Sequence, residues 1–573
     1  MSDTKRMHPV KGKTLSQWLG HRIAIDAEAD RTIEQLSIDS RDCVDNSLFI
    51  ALNGQARNGA DFIEQAVAQG AIAVLQGMAS SEATKVSVEH SSSGRSFIRI
   101  QLPMADNELA ELAADFYDRP AEALAIVAIT GTNGKTSVSH YAAQLSGLCG
   151  MPAGVIGTLG YGIEGHLRPT RNTTPDAVSI QRQLAELRSA GAQVIFLEAS
   201  SHALVQGRLV AVPVDIAALT NITRDHLDYH GSLAAYANAK RSLFSTPGLS
   251  AAIFNDDDYY GSLWRHELTQ LARDDRARDG AGEADRFAPE LMTVSLLHAA
   301  TACAHDIELM ADGMSCTINV DGEQATQRLR LLGEFNLANV LTAAACVYAV
   351  MVNQLQHKRD EGRSSERLLS VESADCASRI VSHCGQLRAV PGRLQMVRMD
   401  SATSSVGEPR VVVDYAHTPD ALQKTLTALK QHGFTSITTV FGCGGDRDKG
   451  KRALMGEIAS LHSSKIILTS DNPRSEDPLS IIRDIREGTE TGNAAVDIIE
   501  QREQAIAAAI ESADKGALVL VAGKGHEDYQ EYAGRRLPFS DLDEVRKVLE
   551  RHASSSVSKS SAAHMPLQRQ EKM

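Results

Sequence analysis

The feature that most constrains the fold of this chain is a strand–glycine–helix pattern over residues 125–139. The β-branched apolar run at 126–129 predicts a buried strand, and Gly131 and Gly134 predict the turn that follows it. A helix is predicted to begin at Lys135-Thr136. A glycine-rich turn that leads into a helix N-terminus offers backbone N–H groups and a favourable dipole to an anion. The pattern therefore predicts a phosphate-binding loop inside an α/β sheet.

The residues of this loop point to a nucleoside triphosphate. Lys135 is placed to reach the terminal phosphates, and the Thr136 hydroxyl is placed to bind Mg²⁺. The eight-residue Walker pattern requires a glycine where Ile129 stands, so the loop is a shortened variant, Gly131-Thr-Asn-Gly-Lys-Thr136. The alternative is a glycine turn followed by a chance Lys-Thr pair. We interpret the loop as an ATP site.

Composition limits the class of protein. A length of 573 residues predicts three or four domains, and 43% apolar residues suffice for their cores. The net charge of −14 and the 4% aromatic content argue against a nucleic-acid partner. The cysteines are scattered, without Cys-x-x-Cys, as expected for reduced thiols. The start lacks a signal core, and the longest apolar run, 340–352, is interpreted as too short for a bilayer. We expect a soluble, cytoplasmic monomer.

The region before about Pro120 is predicted to be a small α/β domain. Its expected elements are a strand at 47–52, a turn through Gly54 and Gly59, a helix at 62–69, a strand at 71–75 and a Ser-rich loop at 81–96. Asp39-Ser40-Arg41 follows a strand, where it can grip a phosphate or sugar, although ordinary turn chemistry explains the same residues.

The middle region alternates strands and helices, which predicts a mostly parallel sheet covered on both faces. Strands are predicted at 194–198, 214–220 and 251–255. Ligands gather at the carboxyl ends of such strands. Glu198 ends one strand and leads into Ser200-Ser-His202, and the next strand leads into Arg224-Asp-His-Leu-Asp-Tyr-His230.

Several single residues in this region have a plain structural alternative. His226 is interpreted as functional because it follows a strand end. Lys240, by default, is an exposed surface lysine, and Asn336 can be only the N-cap of the apolar helix through Val352. Residues 273–290 predict a solvated insertion, and residues 357–373 predict a poorly structured stretch.

A second α/β domain is predicted from about Pro391. Strands at 410–414, 438–441, 466–469 and 517–522 end in polar or glycine-rich loops, and Thr418-Pro419 predicts a helix start. These loops include Gly442-Cys-Gly-Gly-Asp-Arg447, Asp471-Asn-Pro-Arg474 and Gly523-Lys-Gly-His-Glu527. They predict a binding site along one sheet edge. Residues 553–573 predict a disordered tail.

These motifs, in this order, resemble the Mur ligase family over nearly the whole chain. The motifs that carry the resemblance are Gly131-Thr-Asn-Gly-Lys-Thr136, Asn172-Thr-Thr174, Glu198-Ala-Ser-Ser-His202, Arg224-Asp-His-Leu-Asp-Tyr-His-Gly231, Asp414-Tyr-Ala-His-Thr-Pro-Asp420, the loop from Phe441 to Arg452, and Gly523-Lys-Gly-His-Glu527. Asp471-Asn-Pro-Arg474 resembles the form found in members that add meso-diaminopimelate rather than lysine.

The resemblance implies an ATP-dependent amide-bond-forming ligase of peptidoglycan synthesis. It implies three domains: a small α/β domain that binds UDP (1–121), a central P-loop ATPase-type domain with a mostly parallel sheet (122–388) and a Rossmann-like domain that binds the amino acid (389–552). The substrates would be UDP-MurNAc-L-Ala-D-Glu, meso-diaminopimelate and ATP with Mg²⁺, joined through an acyl phosphate.

The resemblance also implies roles for residues. Catalysis would involve Lys135, Glu198, His226 and Lys240. The metal would be held by Thr136, Glu198, His226 and a carbamylated Lys240. ATP would be bound by Gly131, Thr132, Asn133, Gly134, Lys135, Thr136, Asn336, Arg393 and His417. The UDP-MurNAc-dipeptide would be bound by Ser40, Asn172, Thr173, Thr174, Ser200, Gln206 and Arg208. Diaminopimelate would be bound by Arg447, Asp471, Asn472, Pro473, Arg474, Gly523 and Glu527.

Some features depart from the family pattern, and rival functions stay open. Ser137 stands where a second threonine is common, and Gly54-Gln-Ala-Arg57 matches the uridine loop only loosely. A lysine-adding or folylpolyglutamate-type ligase shares the loop variant, but residues 471–474 argue against both. A nucleotide-binding regulator without catalysis is a further alternative, against which the four catalytic candidates argue.

Overall fold

The computed structural model describes residues 11–52, 58–78, 84–104, 108–279, 289–360, 366–398 and 409–562. Contacts divide the chain into two compact units. The first unit is Met1–Ala304, Ile318–Ala325 and Ala338–Cys384, and the second is His305–Thr317, Thr326–Leu337 and Gly385–Met573.

The N-terminal region forms a five-stranded sheet in the order β3-β4-β5-β7-β6, in which only β6 runs antiparallel. Its strands are β3 (Gln35–Ser37), β4 (Ser47–Ala51), β5 (Ala71–Met78), β6 (Lys85–His90) and β7 (Ser96–Pro103), preceded by the short pair β1 (Lys13–Thr14) and β2 (Thr32–Ile33). The helices are α1 (Leu15–Leu19), α2 (Ile63–Gln69) and α3 (Glu108–Phe116). Strand β4 is buried on both faces, as its unbroken apolar run predicts.

The middle of the chain builds an eleven-stranded sheet in the order β11-β10-β9-β12-β8-β13-β14-β15-β16-β17-β18. Its strands are β8 (Ala125–Thr130), β9 (Ala153–Gly157), β10 (Gly160–Ile163), β11 (His166–Arg168), β12 (Val194–Glu198), β13 (Ile216–Leu219), β14 (Ala251–Asn255), β15 (Glu290–Ser295), β16 (Ala302–Met310), β17 (Gly313–Val320) and β18 (Glu323–Leu329). The strands from β9 through β12, β8, β13, β14 and β15 to β16 pair in parallel.

Helices accompany this parallel sheet. They are α4 (Lys135–Leu148), α5 (Ala177–Ser189), α6 (Ser201–Val205), α7 (Leu227–His230), α8 (Leu233–Arg241), α9 (Tyr259–Asp279), α10 (Glu334–Asp360) and α11 (Glu366–His383). A buried apolar cluster that includes Ile126, Leu197 and Leu219 contains residues of its central strands.

The C-terminal region forms a six-stranded sheet in the order β19-β20-β24-β21-β22-β23, parallel from β20 onward. Its strands are β19 (Gln395–Val397), β20 (Arg410–Asp414), β21 (Ile437–Phe441), β22 (Lys465–Leu468), β23 (Ala495–Ile498) and β24 (Leu518–Ala522), and β25 (Tyr529–Tyr532) with β26 (Arg535–Pro538) forms a separate hairpin. The helices are α12 (Pro419–Gln431), α13 (Gly450–His462), α14 (Pro478–Gly488), α15 (Arg502–Glu511) and α16 (Asp541–Ala562). The Thr418 side chain caps α12 and Pro419 begins it, as predicted.

A fully buried ion pair joins three elements of this region. The Arg502 guanidinium donates from Nε and Nη2 to the two carboxylate oxygens of Asp541, each at 2.7 Å, and both side chains have no exposed surface. Nη2 also donates to the Ala522 carbonyl at 2.9 Å. Because Ala522 ends β24 and Asp541 begins α16, the pair fixes the C-terminal helix against the carboxyl end of the sheet.

Several polar stretches are more regular than the sequence predicts. The Ser-rich segment 81–96 contains strand β6, and α9 and β15 occupy parts of the expected insertion at 273–290. Helices α10 and α11 cover most of residues 357–373, and α16 runs to Ala562, into the expected tail. The expectations of a loop at 81–96 and of a poorly structured stretch at 357–373 are wrong for the described residues, because charged and Ser-rich sequence also suits strands and helices. The solvated insertion at 273–290 and the disordered tail stay predictions. The predicted turn at Gly54 and the rest of the tail, 563–573, lie outside the described residues.

Two expectations about α10 are also wrong. Asn336 is the third residue of the helix rather than its N-cap, and its side chain donates to the Leu332 carbonyl at 2.8 Å. The second expectation is that the apolar run 340–352 is too short for a bilayer. The helix extends beyond that run, and in the described residues Glu334–Gln356 is the one stretch that meets the length and hydropathy expected of a membrane span. Because 89% of its most apolar 18-residue segment is buried within the protein, this length and hydropathy also suit a core helix.

The buried pair gives a stability prediction. Asp541→Ala leaves the Arg502 charge buried without its partner, so we expect a loss of about 3–5 kcal/mol in the free energy of unfolding, measured by urea denaturation. Asp543→Ala removes an exposed carboxylate two residues along α16, so it serves as the control and should change stability by about 0.5 kcal/mol or less. Equal effects of the two changes would contradict the role of the pair.

Candidate active site

The predicted phosphate loop closes tightly after β8. Gly131 has φ +142°, and a Cβ there would lie 1.9 Å from the Thr220 hydroxyl oxygen. Gly134 has φ +89°, and a Cβ there would lie 2.4 Å from Asn339 Oδ1. Helix α4 begins at Lys135, and no side chain caps its first turn. The loop therefore presents a helix N-terminus of the kind that binds phosphate.

Asn221, which follows β13, holds the middle of the loop. Its backbone carbonyl accepts from Thr132 N at 2.8 Å, and its side-chain oxygen accepts from Asn133 N at 3.1 Å. The Thr132 hydroxyl also lies 3.1 Å from the Tyr236 hydroxyl. The loop conformation is thus set by the neighbouring strand and by α8.

Two lysines converge on one carbonyl of the loop. Lys135 Nζ donates to the Gly131 and Thr132 carbonyls at 2.8 and 2.9 Å, and Lys240 Nζ donates to the Gly131 carbonyl at 2.9 Å. Lys240 is 1% exposed, so its expectation as a surface lysine is wrong. Burial, together with the charge of Lys135, lowers the pKa of Lys240 well below that of an ordinary lysine. This amine is therefore neutral at a lower pH than an exposed lysine, and neutral amines are nucleophilic.

Glu198 lies at the centre of a group of hydroxyls. Its carboxylate accepts from the Thr136 hydroxyl at 3.0 Å and from the amide and hydroxyl of Thr158 at 2.8 and 3.0 Å. The side chain is fully buried, and none of the described cations forms an ion pair with it. A buried carboxylate beside a hydroxyl is a hard oxygen donor pair, which fits Mg²⁺.

His226 lies near this edge but remains exposed. Its ring makes edge contacts with His202, with ring centroids 4.9 Å apart, and its residue adopts φ +51° at the start of α7. In the described part of the chain, no three His, Cys, Asp or Glu side chains are arranged to hold a metal. Of the predicted metal ligands, Thr136 and Glu198 are in contact with each other, whereas no contact joins His226 or Lys240 to Glu198.

The residues predicted for the muramoyl-dipeptide form a connected network. The Thr174 hydroxyl donates to the Glu198 carbonyl at 2.6 Å, and its oxygen lies 3.1 Å from Ser200 Oγ. Arg208 donates to the Thr174 carbonyl at 2.6 Å and to Gln206 Oε1 at 2.7 Å. Thr173 Oγ1 lies 3.1 Å from Thr158 Oγ1, whereas Asn172 is exposed.

Ser40 lies in a turn that contacts Arg171, the residue before Asn172. Its hydroxyl is buried and donates to Gln65 Oε1 at 2.9 Å. Beside it, hydrogen bonds from Arg41, with the charge of Arg171, lower the pKa of Asp39 to about 2. Because Arg171 also donates to Asp42 at 2.7 Å, it joins this turn to the 172–174 segment.

The ADP candidates all belong to the second unit. The Arg393 guanidinium carbon lies 4.3 Å from the centre of the Tyr415 ring, a cation–π contact. His417 Nδ1 donates to the Tyr415 carbonyl at 2.8 Å, and Asn336 lies in the first turn of α10. Arg393 and His417 thus share Tyr415 as a common partner.

The amino-acid candidates meet at the carboxyl ends of β22 and β24. Asn472 Nδ2 donates to Glu527 Oε2 at 2.9 Å. Gly523 lies so close to Asp471 that a Cβ would be 2.8 Å from its carboxylate oxygen. Asp471 and Asn472 are 7% and 4% exposed. The loops after these strands therefore converge as predicted, and they bring together Asp471, Asn472, Gly523 and Glu527.

Arg474 is fixed by backbone as well as by side-chain contacts. Its Nη1 donates to the Gly445 carbonyl at 2.6 Å, and its Nε lies 3.5 Å from Glu531 Oε2. Its backbone N donates to the Glu531 carbonyl at 3.0 Å, directly after Pro473. Arg447 is exposed on the neighbouring loop. The hairpin β25–β26 therefore positions Arg474, which the sequence did not predict.

Three polar residues of these clusters were missed from the sequence. Thr158 follows β9, so the rule that identified Glu198, a polar residue at a strand end, also applies to it. Arg171 immediately precedes the predicted Asn172. Lys524 lies inside the predicted 523–527 motif, and its fully buried ammonium contacts Asn472 and Glu527.

Models of three protein-family domains match this chain. They are the Mur ligase family catalytic domain at residues 32–117, the Mur ligase middle domain at 129–347 and the Mur ligase glutamate ligase domain at 392–525. The chain belongs to the Mur ligase family. Members of the Mur ligase family are ATP-dependent ligases, which agrees with the phosphate loop at 131–136.

Relatives of known name match nearly the whole chain. A UDP-N-acetylmuramoyl-L-alanyl-D-glutamate–2,6-diaminopimelate ligase from Coxiella burnetii is 38% identical, covering 94% of this chain and 100% of the relative. The ligase of that name from Pseudomonas putida is 39% identical, covering 91% and 96%. A solved structure with the same name is 32% identical, with a TM-score of 0.58, covering 94% of this chain and 99% of that one.

The glycine geometry of the phosphate loop can be tested. Gly134→Ala forces an alanine into a left-handed conformation against Asn339, so we expect a loss of about 1–3 kcal/mol in the free energy of unfolding. Gly147→Ala is the matched control in α4, because its Cβ would meet no atom within 4 Å. It should stabilise the protein by up to about 1 kcal/mol. Thermal unfolding of both variants measures the difference, and equal shifts would contradict the tight packing at Gly134.

Proposed function

We propose that this chain is the ATP-dependent ligase that joins meso-diaminopimelate to the D-glutamyl carboxylate of UDP-MurNAc-L-Ala-D-Glu. The observation that carries the proposal is the Asp471–Asn472–Arg474–Glu527 cluster, in a chain that matches diaminopimelate ligases over nearly its full length. Both signs of charge meet in this cluster. It therefore suits a zwitterionic amino-carboxylate end, which diaminopimelate has twice.

The first step assigned to the chain is phosphoryl transfer from ATP to the glutamyl carboxylate. The loop at 131–134 and the N-terminus of α4 would bind the phosphates, and Lys135 would offset negative charge on the transferring group. To do so, Lys135 would exchange its loop carbonyls for phosphate oxygens. Mg²⁺, held by Thr136 and Glu198 with His226 and a modified Lys240, would supply further charge neutralisation.

The environment of Lys240 supports carbamylation. The neutral amine nitrogen attacks the carbon of CO₂, the N–C bond forms and a proton leaves, which gives a carbamate anion. Burial and the nearby Lys135 favour the neutral amine that this reaction needs. A carbamate would also replace one of the two cations that now meet at the Gly131 carbonyl.

The substrate carboxylate would be held by the network around Thr174. Asn172, Thr173, Thr174, Ser200, Gln206 and Arg208 would bind the muramoyl-dipeptide, and Ser40 would contact the uridine nucleotide. Arg208 is the cation of this set, which suits an anionic substrate. Asn336, Arg393 and His417 would bind the ADP moiety, with Arg393 stacked on Tyr415.

The second step assigned to the chain is attack of an amine on the acyl phosphate. The C–N bond forms, the C–O bond to the phosphate breaks, and inorganic phosphate leaves while the amine nitrogen loses a proton. Arg474 would bind the distal carboxylate of diaminopimelate, whereas Asp471 and Glu527 would face an ammonium group and Asn472 would bind beside them. Gly523 and Pro473 would shape the loops, and the exposed Arg447 would add a cation to either carboxylate.

Arg474 also separates this proposal from its rivals. Lysine lacks the distal carboxylate, so a lysine-adding enzyme has no use for the cation. In a nucleotide-binding regulator without catalysis, the buried Lys240 would have no role. We further propose domain boundaries after residues 121 and 388, Mg²⁺ as the metal, a monomeric state, a cytoplasmic location and no nucleic-acid or membrane partner.

The modification of Lys240 gives one prediction. Lys240→Ala should be nearly inactive, and the activity of the unchanged enzyme should fall when CO₂ is stripped from the buffer, because the carbamate reverts to an amine. Lys85→Ala, on exposed β6, is the control and should respond to CO₂ as the unchanged protein does. Near-normal activity of Lys240→Ala would remove the carbamate from the mechanism.

The substrate assignment is tested by phosphate release from ATP with UDP-MurNAc-L-Ala-D-Glu, comparing diaminopimelate with lysine. We expect diaminopimelate to be used and lysine to be a poor substrate, since an ammonium group would face the Arg474 cation. Lys135→Ala, which lacks the cation at the phosphates, should release no phosphate. Equal use of the two amino acids would show that the assignment is wrong.

Within that assay, Arg474→Ala should raise the KM for diaminopimelate by about a hundredfold, or roughly 3 kcal/mol, because a buried carboxylate loses its cation. The KM values for ATP and for the UDP-dipeptide should barely change. Arg483→Ala is the matched control, since its side chain is 71% exposed on α14. An unchanged KM for diaminopimelate in Arg474→Ala would contradict the role of this residue.

A further inference from the structure

Lys524 is a fully buried cation that the proposed mechanism does not use. Its side chain has no exposed surface, although it lies in the loop after β24. Nζ donates to Asn472 Oδ1 at 3.1 Å and to Glu527 Oε2 at 2.9 Å, and it lies 3.6 Å from Asp471 Oδ1. Its ammonium thus contacts three of the residues proposed to bind the amino acid.

These contacts fix how Asn472 presents its amide. Asn472 Oδ1 accepts from Lys524 and from the backbone N of Glu531, at 3.1 and 3.0 Å, so the opposite end of the amide, Nδ2, points at Glu527 Oε2. A reversed amide would place its NH₂ group against two donors. Lys524 therefore selects one of the two orientations of Asn472.

The same ammonium fixes one oxygen of Glu527. Oε2 accepts from both Lys524 and Asn472, whereas Oε1 has no hydrogen-bond donor among the described residues. The charge of Lys524 compensates this carboxylate at 2.9 Å, whereas the fully buried Arg502 is bound bidentately by Asp541. Glu527 is therefore held with one oxygen bonded and the other left for a ligand.

A buried ammonium is a poor choice for stability alone. Burying a charged group costs desolvation free energy that burying an apolar side chain of similar size does not. Buried ion pairs are therefore often no more stabilising than hydrophobic replacements. The backbone of this loop is already secured, since Gly523 N donates to the Asp414 carbonyl and Glu527 N to the Lys524 carbonyl. The position of the Lys524 side chain is thus better explained by what it orients.

We propose that Lys524 is a positioning residue that orients Asn472 and sets Glu527 to receive the ammonium group of the incoming amino acid. The inference rests on the proposed function, since it assumes that the cluster binds an amino acid. Lys524 itself does not touch the substrate. It acts by leaving Glu527 Oε1 for the ammonium group and the second N–H of Asn472 Nδ2 for a carboxylate oxygen of the ligand, and by keeping two carboxylates together without mutual repulsion.

The test compares Lys524→Met with Lys465→Met, a matched lysine at the opposite end of β22 whose ammonium pairs with Asp497. For Lys524→Met we expect the KM for diaminopimelate to rise at least about thirtyfold. The KM values for ATP and the UDP-dipeptide, and ADP formation in a single turnover without amino acid, should stay within about threefold. Lys465→Met should leave all these values unchanged. A loss of folding alone would instead lower the maximal rate and leave all three KM values unchanged.

Lys524→Arg keeps the charge and covers the case in which the methionine variant does not fold. The wider guanidinium cannot occupy the same point between Asn472 and Glu527, so the KM for diaminopimelate should still rise about tenfold. An unchanged KM in either folded variant overturns the proposal. Failure of the unchanged enzyme to use diaminopimelate would instead overturn the proposed function, so the two failures are distinguishable.

Discussion

The parallel register of β8, β12 and β13 is the constraint on which the phosphate site depends. Glu198 pairs with Ile129, and Leu219 pairs with Thr130, so three strands end at the same level. Side chains that follow these strands must then lie within a few ångströms of one another. The contacts of Glu198 with Thr136, and of Asn221 with the loop, follow from this register rather than from any local sequence preference. A one-residue slip of β12 would turn Glu198 to the other face of the sheet.

The C-terminal sheet repeats this arrangement with a different means of support. Strands β21, β22 and β24 are parallel neighbours, and their loops supply the amino-acid candidates. Here Arg502 fixes the start of the loop after β24, because it donates hydrogen bonds to the Ala522 carbonyl and to Asp541. The β25–β26 hairpin secures Arg474 from the side through its Glu531 carbonyl. Flexible polar loops thus become a defined site because buried charges and backbone pairing limit their freedom.

The sequence predicted strand ends well and solvent exposure poorly. The loop at 131–136, Glu198 and the 471–474 segment were predicted because a buried apolar run followed by glycine or polar residues has few other interpretations. The strands β16 to β18 were not predicted, because half-exposed strands lack such a run. Residues 357–373 were interpreted as irregular because charge was taken to indicate disorder, yet helices carry charge on their outer faces. Lys240 and Lys524 were not recognised as buried, since no local pattern distinguishes a buried lysine from an exposed one.

These two lysines show how partners decide what a buried cation can do. Lys240 has a carbonyl as its partner, and its burial, together with the ammonium of Lys135 on the same oxygen, lowers its pKa. Such a group is prepared to react as a neutral amine. Lys524 instead meets Glu527 and Asp471, two carboxylates that compensate its charge. A compensated cation gains nothing by reacting, but it holds its partners in place. Burial therefore favours a neutral amine at Lys240, whereas at Lys524 the paired charge orients the neighbouring side chains.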